Sequence, residues 1–239
     1  MVNLKTFVQV SSVSTFYPED VVREDVVGVP YNPKAFAKVI ADMTDEQAEK
    51  MTPSILGKYP NTYTFTKTLS EVLIKQELKD TDISVAIARP PFVFPSFKVP
   101  SSGWFDAVQT LPSLVTLYSA GVLRTIGFHP ENKAEYMPVD MLANSLITMG
   151  WFMASDRPSS KLMTFNMCCQ ENPISIRDFS RIAAEVGNEY PSIKALRPPK
   201  DGITYLPNKY EYAARKFISH TLFAYLVDTL LYITGQKPL

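Results

Sequence analysis

Residues 82–90, DISVAIARP, are almost wholly apolar, with β-branched Ile83, Val85 and Ile87 at alternate positions. A short run that is apolar on both faces belongs to a strand buried on both sides, which is the habit of a parallel sheet covered by helices. A second such run, KTFVQVSS at 5–12, ends in two adjacent hydroxyls. Parallel strands need a crossover, and the residues between the two runs supply helices for it. PKAFAKVIADM opens with proline at a first-turn position, and Thr44 with Gln47 has capping-box spacing ahead of DEQAEKM. Asn61 or Thr62 can cap TYTFTKTLSEVLIKQEL, in which Phe65, Leu69, Val72 and Leu73 form one apolar stripe. Strand, helices, strand predicts a right-handed crossover.

After residue 90 the chain becomes irregular. PPFVFPSFKVPSSGWFDA and GFHPENKAEY are rich in proline and turn residues and read as loops around a site or domain edge, with LPSLVTLYSAGVLRTI as mixed apolar material between them. A helix is expected over PVDMLANSLITMGWFM, with Pro138 and Asp140 in its first turn, then a strand at KLMTFNMCC. NPISIRDFSRIAAEVG reads as a proline-led helix stopped by Gly187. PPKDGITYLPNKYEY reads as a loop into a last helical stretch. There, HTLFAYLVDTLLYITG carries Asp228 in its middle and is shorter than the ~20 residues of a bilayer span, so a docked amphipathic helix is expected.

Composition removes several function classes. Lys+Arg and Asp+Glu are both 24 in 239 residues, so no long-range field favours nucleic acid or an anionic membrane surface. Cys168 and Cys169 are neighbours, which rules against a disulfide framework, and His129 and His220 are too scattered in sequence to suggest a metal site; the cysteines read as small apolar side chains on a buried strand. MVNLKTFVQV lacks the charge and apolar length of a secretory signal, so the chain is expected to be intracellular. Its nine glycines are never closer than six residues, which excludes G-x-G-x-x-G and the P-loop pattern. A dinucleotide fold needs such a loop for its pyrophosphate, so these residues read as half of a domain.

Tyr63 and Lys67 stand four residues apart at the start of a capped helix. A phenol titrates near pH ~10, and a cation one helical turn away draws it toward neutrality, where it can give and take a proton in carbonyl chemistry. A hydroxyl at a neighbouring strand end then holds the carbonyl oxygen as it becomes an alkoxide. The same spacing recurs at Tyr190/Lys194, Tyr205/Lys209 and Tyr212/Lys216. Tyr190 is followed by Pro191, Pro207 interrupts the second pair, and the strand before Tyr212 ends in Cys-Cys-Gln. Tyr63 alone has a hydroxyl-ended strand before it and an apolar strand closing in Arg89-Pro90 after it.

FVQVSS, LGKYPNTYTFTKTLSE with its Pro-Asn-Thr-Tyr segment, VAIARPPFVFPSFKVPSSGWFD with its Gly-Trp-x-Asp loop, GVLRTI, YMPVDMLANSLI and HTLFAYLVDTLLYITGQKP occur in this order. Through them the chain resembles the alcohol-forming fatty acyl-CoA reductases, a branch of the extended short-chain dehydrogenase/reductase superfamily. The family's pattern has threonine at Ser12, serine at Pro91, tryptophan at Phe97 and glutamate at Val99. Its Gly-rich N-terminal loop and later C-terminal region lie outside these residues, which makes the stretch similar to an internal fragment.

The resemblance implies an α/β, Rossmann-type, doubly wound parallel sheet, incomplete at its Gly-rich half, with a mostly helical C-terminal portion. It divides the chain into 1–150, the second half of a nucleotide-binding domain, 151–220, a substrate-side portion, and 221–239, the start of a helical region. The implied reaction is reduction of a long-chain acyl-CoA by NADPH, through an enzyme-held aldehyde, to a primary alcohol. Ser12 would orient the carbonyl, Tyr63 would protonate the alkoxide, and Lys67 would lower the tyrosine pKa and bind ribose. Pro90 through Val93 would face the nicotinamide, while Trp104 and Asp106 would shape the acyl or CoA entrance. By the same likeness the partners are the acyl-CoA, a second copy of the chain as a candidate, no nucleic acid, and the cytosolic face of a peroxisomal or endoplasmic reticulum membrane reached through the missing C-terminal region. Two other readings stay open: a truncated non-catalytic paralogue that binds acyl chains or a full-length partner, and an extended reductase acting on sterols or nucleotide sugars.

Overall fold

The computed structural model describes the chain except residues 1–3, 17–18, 20, 107–109, 156–157, 169–172, 192–194, 196–202 and 238–239. In chain order its elements are β1 (Thr6–Val10), α1 (Pro33–Ala41), α2 (Asp45–Leu56), α3 (Thr62–Leu78), β2 (Ser84–Arg89), β3 (Phe92–Phe94), α4 (Thr110–Ser119), β4 (Thr125–Ile126) and β5 (Lys133–Ala134). They continue with β6 (Tyr136–Pro138), α5 (Val139–Ala154), β7 (Leu162–Asn166), β8 (Ile174–Ser175), α6 (Ile176–Glu189), β9 (Thr204–Tyr205), α7 (Lys209–Lys216) and α8 (Phe223–Ile233). Two compact units result, Met1–Gly103 with Met137–Cys169, and Trp104–Tyr136 with Gln170–Leu239. These units cross the linear division expected at 150 and 220, because the chain leaves the first unit at 104 and re-enters it at 137.

The first unit is built on a parallel sheet of order β1-β2-β7, with Thr6 opposite Ser84 and Val85 opposite Leu162. Successive strand residues point to opposite faces, and β1 shows what covers each. Val8 meets α5, where a Cβ on Gly150 would sit 3.7 Å from its Cγ2, while the next residue, Gln9, donates to Ser70 of α3 at 2.8 Å. Helices therefore cover both faces, the arrangement of an α/β doubly wound fold. β2 is buried along its length after Ser84, as its sequence demands. β1 departs from expectation: Phe7 and Val10 are exposed, since β1 is the edge of the described sheet and lacks a neighbour on one side.

Local signals place the helices of this unit. Asn32 caps α1, Thr44 and Gln47 close a reciprocal capping box on α2, and Asn61 accepts the Thr64 N–H at 2.9 Å to start α3. Phe65 of α3 seats itself among Tyr31, Phe36 and Tyr59, with ring centroids 5.4 to 6.0 Å away. Such tilted and edge-on aromatic contacts add to plain area burial.

The second unit carries α4 against α6, the parallel pair β4–β9 and the antiparallel pair β5–β8. Here several expectations are corrected. α6 begins at Ile176 under a Ser175 cap, because Pro173 leads into β8. Gly187 lies inside α6 rather than ending it: a Cβ there would come within 3.0 Å of Ser119 Oγ and 3.2 Å of the buried Tyr118 ring. Its smallness is a packing requirement between α4 and α6. Gly187→Ala is expected to lower stability by about 1 kcal/mol, overpacking outweighing helix propensity. Gly150→Ala, with only ordinary contact to Val8, is expected to raise it by up to about 1 kcal/mol. Urea midpoints of the two variants read the opposite signs.

The last helix is also corrected. A π-type stretch, Phe217–Leu222, leads into α8, and none of the residues of either is buried. Ile218, Leu222, Leu226, Leu230 and Ile233 are exposed while Phe223, Val227, Asp228 and Leu231 are half-buried, so one apolar stripe of the helix is left open. No helix among the described residues is long and apolar enough to cross a membrane. Cys168 is exposed beyond the end of β7, since the strand stops at Asn166; Cys169, Lys194 and residues 198–202 of the expected loop lie outside the described residues.

Candidate active site

The carboxyl ends of β1 and β2 lie side by side, and Ser11 N–H donates to Ala88 O at 2.7 Å as the ladder closes. Ligands of open α/β sheets bind outside these strand ends. Three of the expected residues meet here. Ser12 is buried just past β1, Tyr63 stands exposed in the first turn of α3, and Lys67 follows one turn later. Lys67 Nζ lies 5.9 Å from the Tyr63 ring centroid and donates to Val10 O at 2.9 Å. That bond fixes the cation between the tyrosine and the strand end. Of the rival pairs, Tyr205 and Lys209 belong to different elements, whereas Tyr212 and Lys216 share α7.

Pro90 is buried, its carbonyl accepting from Val13 N–H at 3.3 Å, so the backbone after β2 is tied to the turn after β1. Val93 is half-buried in β3. Trp104 and Asp106 are exposed residues of the loop that opens the second unit.

The two adjacent serines, of which the family resemblance had singled out Ser12, have different fates. Ser11 points inward and donates to Glu71 of α3. Ser12 Oγ lies 2.9 Å from Ser14 Oγ and accepts the Ser14 N–H at 3.2 Å. A short helical turn, Val13–Phe16, makes this closure, and Thr15 Oγ1 donates back to Ser12 O at 3.0 Å.

Beneath the pair lies a charge network that sequence reasoning missed. Glu71 and Arg89 are both wholly buried; Arg89 donates from Nε to Oε1 at 2.9 Å and from Nη2 to Oε2 at 2.5 Å. The remaining guanidinium donors reach Arg23 O at 2.8 Å and Asp25 O at 2.6 Å, and the Phe16 ring lies 4.7 Å from its carbon. A buried ion pair needs partners for its leftover donors and lone pairs, and here two backbone carbonyls and the Ser11 hydroxyl meet most of them. The signal available was an acidic residue on the covered side of α3 together with an arginine in an otherwise apolar strand.

Asp140, in the first turn of α5, was read only as a helix-start residue. Its carboxylate accepts the N–H groups of Phe97 at 2.9 Å, Lys98 at 2.8 Å and Val99 at 3.1 Å, besides that of Met141. These backbone bonds, led by that from Phe97, outweigh partial desolvation and lower its pKa from 3.8 to about 2. The loop after β3 is thus clamped in a form that exposes Phe97 and Val99. Because the folded pKa lies below the unfolded one, the clamp contributes fully above about pH 4 and is lost as pH falls toward 2. Amide exchange is expected to show protection at 97–99 disappearing over that interval, and Asp140→Ala is expected to abolish it at neutral pH.

A nicotinamide cofactor fits the ribose and nicotinamide side of this arrangement, since an ammonium and a phenol flank the strand ends; no glycine-rich phosphate loop occurs in these residues. The model of an NAD-binding domain family, described as male sterility protein, matches residues 1–146. The chain belongs to that family.

Among curated relatives of this male sterility family member, fatty acyl-CoA reductase wat of Drosophila melanogaster is 29% identical over 238 residues. Fatty acyl-CoA reductase 1 of Gallus gallus and of Homo sapiens are each 30% identical over 239 residues. In each case all of this chain aligns with 45% of the relative, so it spans less than half their length. Among solved structures, an epimerase from Methanothermobacter thermautotrophicus superposes with a TM-score of 0.51 at 15% identity, over 92% of this chain and 55% of the other. The PbgP3 protein of Burkholderia pseudomallei gives 0.52 at 15%, over 85% and 54%. Both show the Rossmann-like fold.

Proposed function

We propose that the full-length protein reduces a long-chain acyl-CoA with NADPH, through an aldehyde kept on the enzyme, to a primary alcohol and free CoA. The observation that carries this reading is Lys67 held beside Tyr63 by Val10 O, at the strand end that bears Ser12. The relatives' names supply the substrate class. Two reduced nicotinamide cofactors, bound in turn at this end of the sheet, would supply one hydride each.

Ser12 donates to the thioester or aldehyde oxygen and Tyr63 gives its phenolic proton to the oxyanion. Lys67 stabilises the phenolate that remains and reaches the ribose hydroxyls. Pro90 to Val93 offer their backbone to the nicotinamide, and Trp104 with Asp106 are the residues that the family likeness assigns to the acyl or CoA entrance. With this reading go a location on the cytosolic face of a peroxisomal or endoplasmic reticulum membrane and a second copy of the chain as candidate partner.

Incubation of the full-length protein with hexadecanoyl-CoA and NADPH is expected to yield hexadecanol by mass spectrometry, with two NADPH consumed per alcohol, and much less with NADH. Saturable acyl-CoA binding with no alcohol would sink the reductase. It would favour the second reading, a non-catalytic acyl-binding paralogue.

A further inference from the structure

A serine hydroxyl has one proton and two lone pairs, so whichever donors occupy its lone pairs decide where its proton goes. For Ser11 the matter is closed, because its partner, the Glu71 carboxylate paired with Arg89, only accepts. For Ser12 two groups converge on the oxygen, both from one residue: Ser14 N–H at 3.2 Å and Ser14 Oγ at 2.9 Å.

We infer that Ser14 is a positioning residue for the reduction proposed above. Its N–H and its O–H both donate to Ser12 Oγ, fill both lone pairs, and leave the single Ser12 proton for the substrate carbonyl oxygen. The inference rests on the reading of Ser12 as the carbonyl-holding hydroxyl. Three features hold the geometry. The Val13–Phe16 turn brings Ser14 back over Ser12, Thr15 pins the Ser12 carbonyl through both N–H and Oγ1, and Thr68 Oγ1 of α3, which shares its one proton with Thr64 O at 2.9 Å, lies 3.3 Å from Thr15 O. The turn therefore packs against the helix that carries Tyr63 and Lys67. A hydroxyl that accepts two hydrogen bonds is the stronger donor of its own proton, since chained hydrogen bonds polarise one another.

The test is a double-mutant cycle in the full-length protein with hexadecanoyl-CoA and NADPH. Ser14→Ala is expected to lower kcat about tenfold, the effect of one lost hydrogen bond in a polarised chain, with KM and thermal midpoint unchanged. Ser14→Thr, which keeps the hydroxyl, is expected to restore most of the rate. Added to Ser12→Ala, Ser14→Ala is expected to cost nothing more, because it acts only through Ser12. Additive losses, or full kcat in Ser14→Ala, would overturn the inference.

A second measurement does not depend on turnover. The carbonyl stretch of bound 13C-labelled hexadecanal, read by isotope-edited infrared spectroscopy, is expected to rise in Ser14→Ala as polarisation weakens. A protein that shows this shift but makes no alcohol would sink the assigned reaction and leave Ser14 in its role. An unchanged stretch would remove Ser14 from it whatever the activity.

Discussion

Tyr63→Phe in the full-length protein is expected to lower the rate of acyl-CoA reduction by about 10²–10⁴-fold, the range for loss of a positioned general acid. The fold should not notice. Tyr63 is 54% exposed at the start of α3, and the helix is held there by the Asn61 cap and by Phe65 in its aromatic setting. The variant should therefore keep its thermal midpoint and its acyl-CoA KM while kcat falls. Lys67→Met should add a rise in KM for the nucleotide, because the ammonium that Val10 O holds is also the group assigned to the ribose. Near-normal kcat in Tyr63→Phe would remove proton transfer from the pair and turn Tyr63 into an ordinary exposed residue at a helix start.

Arg89→Met is expected to destabilise the protein by about 3–5 kcal/mol, because it leaves the Glu71 carboxylate buried without its cation. Arg23 O and Asp25 O lose their donors in the same step, so the segment after the Val13–Phe16 turn should loosen as well. The double variant Arg89→Met/Glu71→Leu removes both charges and should recover much of the loss, which distinguishes an unpaired charge from a simple packing defect. Guanidinium melts of the two variants measure the difference. A single variant as stable as wild type would mean that the buried pair contributes nothing net to the fold. By comparison, breaking the exposed pair Lys161–Asp82 should change little, since water takes over both partners.

Much of the framework was legible because its causes are local. A capping box at Thr44 and Gln47, an Asn61 cap and the apolar run of β2 each act within a few residues, and each element formed where expected. Expectations failed where a neighbour decided the outcome. Gly187 resembles a helix stop until Tyr118 is seen against it, and the α8 stripe resembles a docking face until it is seen exposed.

The site divides in the same way. Tyr63 and Lys67 were visible because residues four apart on one helix must be neighbours whatever the rest of the chain does. Ser11 and Ser12 were legible from residue pattern only as a pair, and it was the family resemblance that singled out Ser12. Their separation into a hydroxyl committed to Glu71 and one left at the strand end depends on which side α3 lies, and that is settled by packing across about sixty residues of chain. Glu71, Arg89 and Asp140 belong wholly to tertiary structure. Glu71 and Arg89 tolerate burial because remote segments bring each an opposite charge, and Asp140 finds its set of free N–H groups on a loop about forty residues away. The sequence by itself determined a parallel α/β framework and a tyrosine–lysine couple at a helix start, through local periodicity and capping. Tertiary structure alone decided which hydroxyl is committed to Glu71 and which charges lie beneath the strand ends, because hydrogen-bond partners are chosen in space.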